Sequence, residues 1–287
     1  LKFHFKLRLV YPELLKYGIF IIVGAFASVI LTQTDTLMIT YLLGLKEVGL
    51  YQAAVPLASI LITVIAPITT VLLSRISNLW AQKKKHAVES LFLIVQKYIL
   101  ILILPITLTL VLFAELIIKL VFTNQYIAAI NPLILLSFAF MISAMSTILT
   151  YTLISIGEAK KVMYIVIFGA IINVFGNYFL IHSFRITGAA ISTLLSSMVM
   201  FVMLRYHLSK KIVITLDYKM LFKTLFAAVL FIVSIYLSRK LIETNYLFEA
   251  VLCIAISSAV YILTLFITKV ITKEDVTFVK KIVSSKK

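Results

Sequence analysis

The sequence predicts an all-α membrane protein that crosses the bilayer about eight times. Hydrophobic residues make up 62% of the 287 residues, the mean hydropathy is +1.12, and the apolar residues fall into runs of about 20. A soluble fold of this length could not bury so many apolar side chains. The strands of a transmembrane barrel would be shorter and would alternate polar with apolar residues, unlike these runs.

Each apolar run can cross the bilayer as a helix, because a span needs about 20 mostly apolar residues. The predicted spans are 17–43, 50–78, 98–121, 132–155, 162–182, 187–207, 218–238 and 247–268. Glycines support these boundaries: Gly44 and Gly49 flank the first connection, and Gly157 follows the fourth span. Three prolines lie inside the second and third spans: Pro56, Pro67 and Pro105. Each is expected to bend its helix, either as a fixed kink or as a moving hinge.

The basic residues predict how the spans are oriented. Of the 27 Lys and Arg residues, 22 lie in segments that alternate along the chain: 1–16, 75–97, 160–161, 205–223 and 269–287. The other five are Lys46, Lys119, Arg185, Arg239 and Lys240. Cytoplasmic loops carry an excess of Lys and Arg, so both ends of the chain are predicted to be cytoplasmic, in a cell membrane. This distribution explains the net charge of +16 without a nucleic-acid partner, and places the basic loops beside anionic membrane lipids.

Cysteine and methionine give two further indications. The single cysteine, Cys253, excludes an internal disulfide and lies in an apolar run, where it is interpreted as a small buried residue. The chain starts with Leu1, and its first methionine is Met38. We therefore expect the chain to be a piece of a longer protein.

The motifs of common enzyme classes are missing from the sequence. The glycine pair Gly44 and Gly49 is followed by Leu50 rather than by Lys and Ser or Thr, so no P-loop is present. The four histidines are isolated, without metal-ligand spacing, and no G-x-S-x-G motif occurs. The sequence therefore predicts a transporter, flippase or channel without a cofactor or metal, and not an enzyme.

Asp35 is the one carboxylate deep inside a predicted span, about 27 Å beyond Tyr17 along the helix. An ionisable residue at such a position indicates a functional site. Gly24, Ser28 and Thr32 share its face of the helix. Asp35 is predicted to line a cavity or to bind a cation or proton, and the alternative is a solvated or hydrogen-bonded residue near the outer interface.

Polar or small residues also share one face of later spans. These are Ser143, Ser146, Thr147 and Thr150 in the fourth, Gly169, Asn173, Gly176 and Asn177 in the fifth, and Ala189, Ser192, Thr193 and Ser196 in the sixth. They either belong to a substrate or ion pathway or allow close helix packing. Arg75 is predicted either to attract an anionic head group or to extend into the membrane interface.

Two segments resemble polysaccharide flippases of the multidrug/oligosaccharidyl-lipid/polysaccharide (MOP) exporter superfamily. In the first, Asp35 leads into Leu43-Gly-Leu-Lys-Glu-Val-Gly-Leu-Tyr-Gln-Ala-Ala54. In the second, Asn173-Val-Phe-Gly-Asn177 leads into Ile186-Thr-Gly-Ala-Ala-Ile-Ser-Thr193. In that family an Asp helix precedes an LG…VG-Y-AA hairpin, and a later N-x-x-x-N helix precedes I-x-G-A-A-x-x-T.

The resemblance implies a domain organisation. Family members have fourteen spans, arranged as two six-helix lobes and a further pair. Here the implied domains are a cytoplasmic basic linker (1–16), a six-helix lobe (17–208), two additional helices (209–270) and a basic cytoplasmic tail (271–287). The partner would be a missing N-terminal lobe of the same protein, which forms the other wall of a central cavity.

The function implied by the resemblance is translocation of a polyprenyl-phosphate-linked oligosaccharide for cell-surface polysaccharide biosynthesis. Asp35, Ser28 and Thr32, with the fourth span's hydroxyls, would face the sugar, and Arg75 would attract the anionic head. A multidrug or cation antiporter of the same superfamily is the nearest competing function, and it would need carboxylates for cationic substrates. An intramembrane glycosyl- or acyltransferase and a passive channel or scaffold also stay open at this point.

Overall fold

The computed structural model describes residues 7–214, 217–241 and 246–271, and all regular structure in these ranges is helical. The helices are α1 (Leu7–Leu43), α2 (Leu45–Ala81), α3 (Lys85–Leu112), α4 (Ala114–Val121), α5 (Ile130–Ser155), α6 (Ala159–Ser209), α7 (Tyr218–Leu241) and α8 (Tyr246–Ile267), with a 3-10 helix at Asn124–Ala129. Seven helices within the described ranges are long and apolar enough to cross a membrane. The predicted fold class is thus confirmed. Most of the predicted basic tail (271–287) lies outside the described residues.

The long helix α6 folds back on itself and so contains two of the predicted spans. Its backbone leaves helical geometry at Arg185 (φ 54°, ψ −136°). The Ser192 hydroxyl donates to the Asn173 carbonyl oxygen at 2.8 Å, although these residues would lie roughly 28 Å apart in a straight helix. The two arms, 159–184 and 186–209, therefore pack antiparallel. A Cβ atom on Gly188 would lie 2.0 Å from the Leu180 carbonyl oxygen, so this reversal requires glycine.

The third predicted span, 98–121, differs from the structure. α3 begins at Lys85, because the Lys, Glu and Gln residues that precede the apolar run also have high helix propensity. Non-helical backbone at Phe113 (φ −109°, ψ 18°) then separates α3 from α4. Ala114 and Ile118 of α4 belong to a buried cluster with Tyr51. Tertiary packing thus interrupts the helix where hydropathy predicts that it continues.

Smaller differences concern the first connection, the predicted linker and the prolines. Gly44 (φ 92°) alone separates α1 from α2, which begins at Leu45, and α1 begins at Leu7, inside the segment predicted as a linker. α2 and α3 remain helical through their three internal prolines. A bend at these prolines stays a prediction.

The described chain divides into two compact units: residues up to 103 with 110–214, and residues 104–109 with those from 217 on. The first unit has a core rich in small side chains, which allow close helix approach. Its buried members include Ile39 of α1, Tyr51 and Ala54 of α2, Leu133 of α5 and Ala189 of α6. α1, α2, α5 and both arms of α6 thus form one helical lobe.

Contacts between the turns show which helix ends of this lobe lie together. At one end the Tyr17 hydroxyl donates to the Ile154 carbonyl oxygen, and the Ser155 hydroxyl donates to that of Leu73 at 3.0 Å. This end also holds the Lys-containing turns after α2 and α5 and the end of α6. We call it the basic end. At the other end, the Arg185 end, the Arg185 guanidinium pairs with Glu47. The connections of the lobe therefore alternate between two ends, as the charge distribution predicts.

The second unit contains the antiparallel helices α7 and α8. The Lys223 ammonium donates to the Thr268 carbonyl oxygen at 2.7 Å, and so joins the start of α7 to the end of α8. Phe231 packs edge-on against Tyr261, with ring centroids 6.1 Å apart. The buried Cys253 is consistent with the small apolar residue that the sequence predicts.

We expect the basic end of the lobe to face the cytoplasm, because Lys and Arg are retained on that side during insertion. The test uses single-cysteine variants of the full-length protein in a background from which Cys253 and any other cysteine have been removed. In intact cells a membrane-impermeant maleimide should label Lys46→Cys, at the Arg185 end. It should label Lys84→Cys and Lys210→Cys, at the basic end, only after permeabilisation. Labelling of either basic-end cysteine in intact cells would contradict this orientation.

Candidate functional site

A cavity of about 630 Å³ lies between α1, α2, α5 and α6 within the first unit. On α1 its lining extends from Phe20 to Thr36, a length of roughly 24 Å along the helix axis. The cavity is therefore an elongated groove that runs from the basic end towards the Arg185 end. Its volume lies within the range typical of small-molecule sites.

Most of the predicted pathway residues line this cavity. They are Ser28, Thr32 and Asp35 of α1 and Ser143, Thr147 and Thr150 of α5. Further lining hydroxyls come from Ser59, Ser146, Tyr151 and Thr193. Among the described residues that line the cavity, Asp35 is the sole carboxylate and no Lys or Arg is present. The wall is thus mainly apolar with regularly placed hydroxyl groups.

Several of the cavity hydroxyls are bonded to their own helices. Ser28 donates to the Ala25 carbonyl oxygen at 2.7 Å, and Thr32 donates to that of Val29 at 2.9 Å. On α5, Thr147 donates to the Ser143 carbonyl oxygen at 2.9 Å. A hydroxyl that donates in this way keeps lone pairs as acceptors. These side chains can therefore accept hydrogen bonds from a ligand that carries hydroxyl donors.

Asp35 lies at the Arg185 end of the cavity, and donors surround its carboxylate. Its Oδ2 accepts hydrogen bonds from the hydroxyls of Tyr51 and Thr193, each at 2.6 Å. Its Oδ1 accepts from the amides of Asn177 at 2.7 Å and Asn173 at 3.2 Å. The residue is 6% exposed. Asp35 therefore borders the cavity, which is one predicted role, and is also fully hydrogen-bonded, which is part of the alternative.

The two predicted asparagines serve Asp35 and do not reach the cavity. Asn173 and Asn177 are fully buried and are absent from the cavity lining. The Asn177 amide also donates to the Asn173 Oδ1 at 3.3 Å. Within the described part of the chain, the Asn177 Oδ1 is a buried acceptor without a hydrogen-bond partner. Their role in this structure is thus to fix the carboxylate between α1 and the first arm of α6.

Tyr51 is the residue of this cluster that sequence reasoning missed. It lies 16 residues after Asp35, on the other side of the Gly44 turn. Residues at similar distances on either side of a helical hairpin turn face each other, so the spacing around Gly44 was the available signal. Thr193, part of the second motif, comes from the second arm of α6.

Arg75 is not brought to the cavity. It is exposed on α2 near the basic end, and it is absent from the cavity lining. Its predicted attraction of an anionic head group stays a prediction.

Known proteins are similar to this chain in sequence and in fold. A family model described as "Polysaccharide biosynthesis protein" matches residues 1–131. An uncharacterized membrane protein of Methanocaldococcus jannaschii, MJ1068, is 29% identical over 272 residues, which cover 92% of this chain and 52% of that protein. The chain spans about half the length of this relative.

Solved structures agree on the fold. The lipid II flippase MurJ in an inward closed conformation matches with a TM-score of 0.70 and 18% identity, over 92% of this chain and 55% of MurJ. This chain has the MOP transporter fold. An outward-facing multidrug resistance MATE family transporter of the MOP superfamily matches with a TM-score of 0.57 and 17% identity, over 88% and 64% of the two chains. A MOP superfamily transporter from Pyrococcus furiosus matches with a TM-score of 0.59 and 18% identity, over the same shares. These structures confirm, at the level of the fold, the MOP resemblance that the two motifs predict.

Removing the Asp35 carboxylate is expected to destabilise the lobe. Asp35→Ala leaves the buried donors of Tyr51, Thr193 and Asn177 without their acceptor, at a cost of about 3 kcal/mol. Asp35→Asn should cost less than about 1 kcal/mol, because its amide oxygen replaces Oδ1 and the two hydroxyls can turn to accept from its NH2 group. Thermal unfolding midpoints of the full-length protein in detergent measure both changes.

Thr36→Ala is the control for this measurement. Thr36 lies beside Asp35 and accepts a hydrogen bond from the exposed Gln52 at 2.8 Å, so its removal should change the midpoint little. An Asp35→Ala protein as stable as the wild type would contradict the structural role of the carboxylate.

Proposed function

We propose that the protein moves a polyprenyl-phosphate-linked oligosaccharide across the cell membrane for cell-surface polysaccharide biosynthesis. The observation that carries this proposal is the groove itself, which is lined by Ser and Thr hydroxyls and lies inside a lobe with the MOP transporter fold. Sugar hydroxyls can donate hydrogen bonds to successive side chains along the groove, so that no single site has to bind the glycan tightly. The match to a polysaccharide biosynthesis family and the likeness to a lipid II flippase support the same substrate class.

The multidrug or cation antiporter function is less well supported by the cavity. A bulky cationic substrate would need a carboxylate that it can reach from the cavity, whereas a proton or Na⁺ is small enough to enter a site enclosed by donors. Asp35 is the sole carboxylate among the described lining residues, and each of its oxygens already accepts two hydrogen bonds. The hydroxyl groups instead suit a neutral, hydroxyl-rich head group.

A transferase would need acid or base groups grouped at one face of the membrane. Among the residues described, His86 pairs with Glu89 beside the α2–α3 turn, and neither residue lines the cavity. We therefore propose transport rather than catalysis.

The transport cycle requires a polar passage that opens to one side at a time while the lipid tail remains in the bilayer. One lobe supplies one wall of such a passage. We propose that a second lobe of the same protein supplies the facing wall. This is supported by the lengths of MJ1068 and MurJ, of which the chain spans 52% and 55%, and by the many exposed apolar side chains of α1, including Ile22 and Phe26.

Asp35 is the proposed site of ion coupling. The sequence contains no P-loop, and in this proposal an ion gradient or the substrate gradient gives direction. Protonation of Asp35, or Na⁺ bound at its carboxylate, would replace the hydrogen bonds that join it to α2 and α6. Rotation of the Asn177 amide would turn its Oδ1, which has no partner among the described residues, towards such a cation.

This proposal predicts that Asp35→Asn impairs transport more than folding. Full-length protein is reconstituted in vesicles, and flipping of a fluorescent polyprenyl-phosphate-linked sugar is measured by quenching from outside. The variant should flip at least about tenfold more slowly at equal protein content, and its dependence on pH or Na⁺ should flatten, because the neutral amide binds neither ion in the same way.

Glu115→Gln is the control, because it removes an exposed carboxylate paired with Lys119 on α4, outside the cavity. It should flip like the wild type. Asp35→Asn protein that flips at the wild-type rate, with unchanged ion dependence, would refute the coupling role. Absence of flipping by the wild type would refute the proposed function itself.

A further inference from the structure

The cavity reaches the basic end of the lobe beside the first turn of α6. Phe20 of α1 and Ala159 of α6 line it there. Lys160 follows Ala159 directly, and its Nζ atom lies 5.8 Å from the ring centroid of Phe20 and 5.8 Å from that of Tyr164. Two aromatic faces, one of them part of the cavity wall, thus hold an ammonium group at this entrance.

The neighbouring lysines share an acidic partner. Lys161 and Lys211 pair with Glu158 at 3.0 Å and 2.5 Å. The hydrogen bond from Lys211, with smaller contributions from Lys161, holds the pKa of the Glu158 carboxyl below its ordinary value. Glu158 therefore stays ionised and pairs with both lysines, and its single negative charge offsets part of their positive charge.

Lys160 differs from these neighbours in its contacts. No carboxylate within the described ranges lies in ion-pair distance of its ammonium, and the residue is exposed. The aromatic faces attract the cation through their ring quadrupoles but accept no conventional hydrogen bond from it. Its charge and its N–H donors are consequently available to an anion at the cavity entrance.

We propose that Lys160, held between Phe20 and Tyr164, binds the phosphate group of the lipid-linked substrate at the entrance of the cavity. This inference rests on the proposed function and identifies a substrate-positioning residue for it. Phosphate oxygens are strong acceptors for an ammonium group. The exposed Arg75, by contrast, is not among the residues that line the cavity.

The order of groups along the cavity matches such a substrate. Phe20 and Ser28 are eight residues apart on α1, which is roughly 12 Å along the helix axis. A phosphate at Lys160 would place the first sugar rings beside Ser28 and the hydroxyls of α5. Lys160 thus distinguishes a phosphorylated lipid from the corresponding neutral alcohol, while the hydroxyls contact the glycan.

The test measures binding of radiolabelled farnesyl diphosphate, a short polyprenyl diphosphate, to the full-length protein in phosphatidylcholine nanodiscs. Lys160→Ala should weaken binding about tenfold or more, because a charge-assisted contact to phosphate is lost. Lys160→Arg should bind within about twofold of the wild type, since the charge remains. Lys161→Ala, the matched control, should also stay within about twofold because its ammonium group is already engaged in an ion pair with Glu158. Size-exclusion chromatography establishes that each variant is folded.

Four outcomes would overturn the inference. Unchanged binding by Lys160→Ala shows that this residue does not hold the phosphate. Equal losses in Lys160→Ala and Lys161→Ala indicate a general surface potential. If wild type and Lys160→Ala bind farnesyl diphosphate equally in nanodiscs that contain phosphatidylglycerol, Lys160 binds the bilayer lipid instead. If Lys160→Ala weakens binding of farnesol as much as binding of farnesyl diphosphate, Lys160 does not recognise the phosphate.

The inference and the proposed function fail in different ways. A wild type that flips the lipid-linked sugar, together with a Lys160→Ala protein of wild-type affinity, refutes only the role of Lys160. A wild type that neither binds farnesyl diphosphate nor flips the sugar refutes both.

Discussion

Burying a carboxylate inside a membrane-spanning lobe costs free energy unless donors surround it, and the Asp35 cluster meets this requirement. Its four donors come from α2 and from both arms of α6. The Gly44 turn must therefore bring Tyr51 back to Asp35, and the reversal at Arg185 must bring Thr193 back to Asn173. The two motifs that distinguish the sequence are the two hairpins that assemble this cluster.

The cluster also explains why the mainly apolar groove carries hydroxyl groups but almost no charge. Asp35 borders it with both oxygens occupied, and the remaining polarity comes from hydroxyls, several of which are already bonded to their own helices. Such a wall offers acceptors without strongly retaining a ligand. Shallow binding of this kind suits transport, because a head group that is held tightly would leave slowly. The charged group that we propose to bind the substrate phosphate is instead at the entrance, where Lys160 lies beside Phe20.

Hydropathy and charge were sufficient to predict the helical class, the alternating connections of the lobe and the hydroxyl face of α5. These features depend on local sequence. The hydrogen bonds of Asp35 join residues up to 158 positions apart, and no periodicity reveals such a pairing. The position of Arg75 away from the cavity depends on how α2 is rotated, and the break at Phe113 depends on the packing of α4. Lys160 was counted among the basic residues of its turn, but only the structure distinguishes it from Lys161, which is paired with Glu158.

The central claim is that the groove accommodates a lipid-linked glycan rather than a lipophilic cation. Full-length protein in sealed vesicles can be offered a fluorescent polyprenyl-phosphate-linked sugar and ethidium in parallel, with empty vesicles as the reference. The account predicts accelerated flipping of the lipid-linked sugar and ethidium movement no faster than in empty vesicles. Transport of ethidium without flipping of the sugar would contradict it.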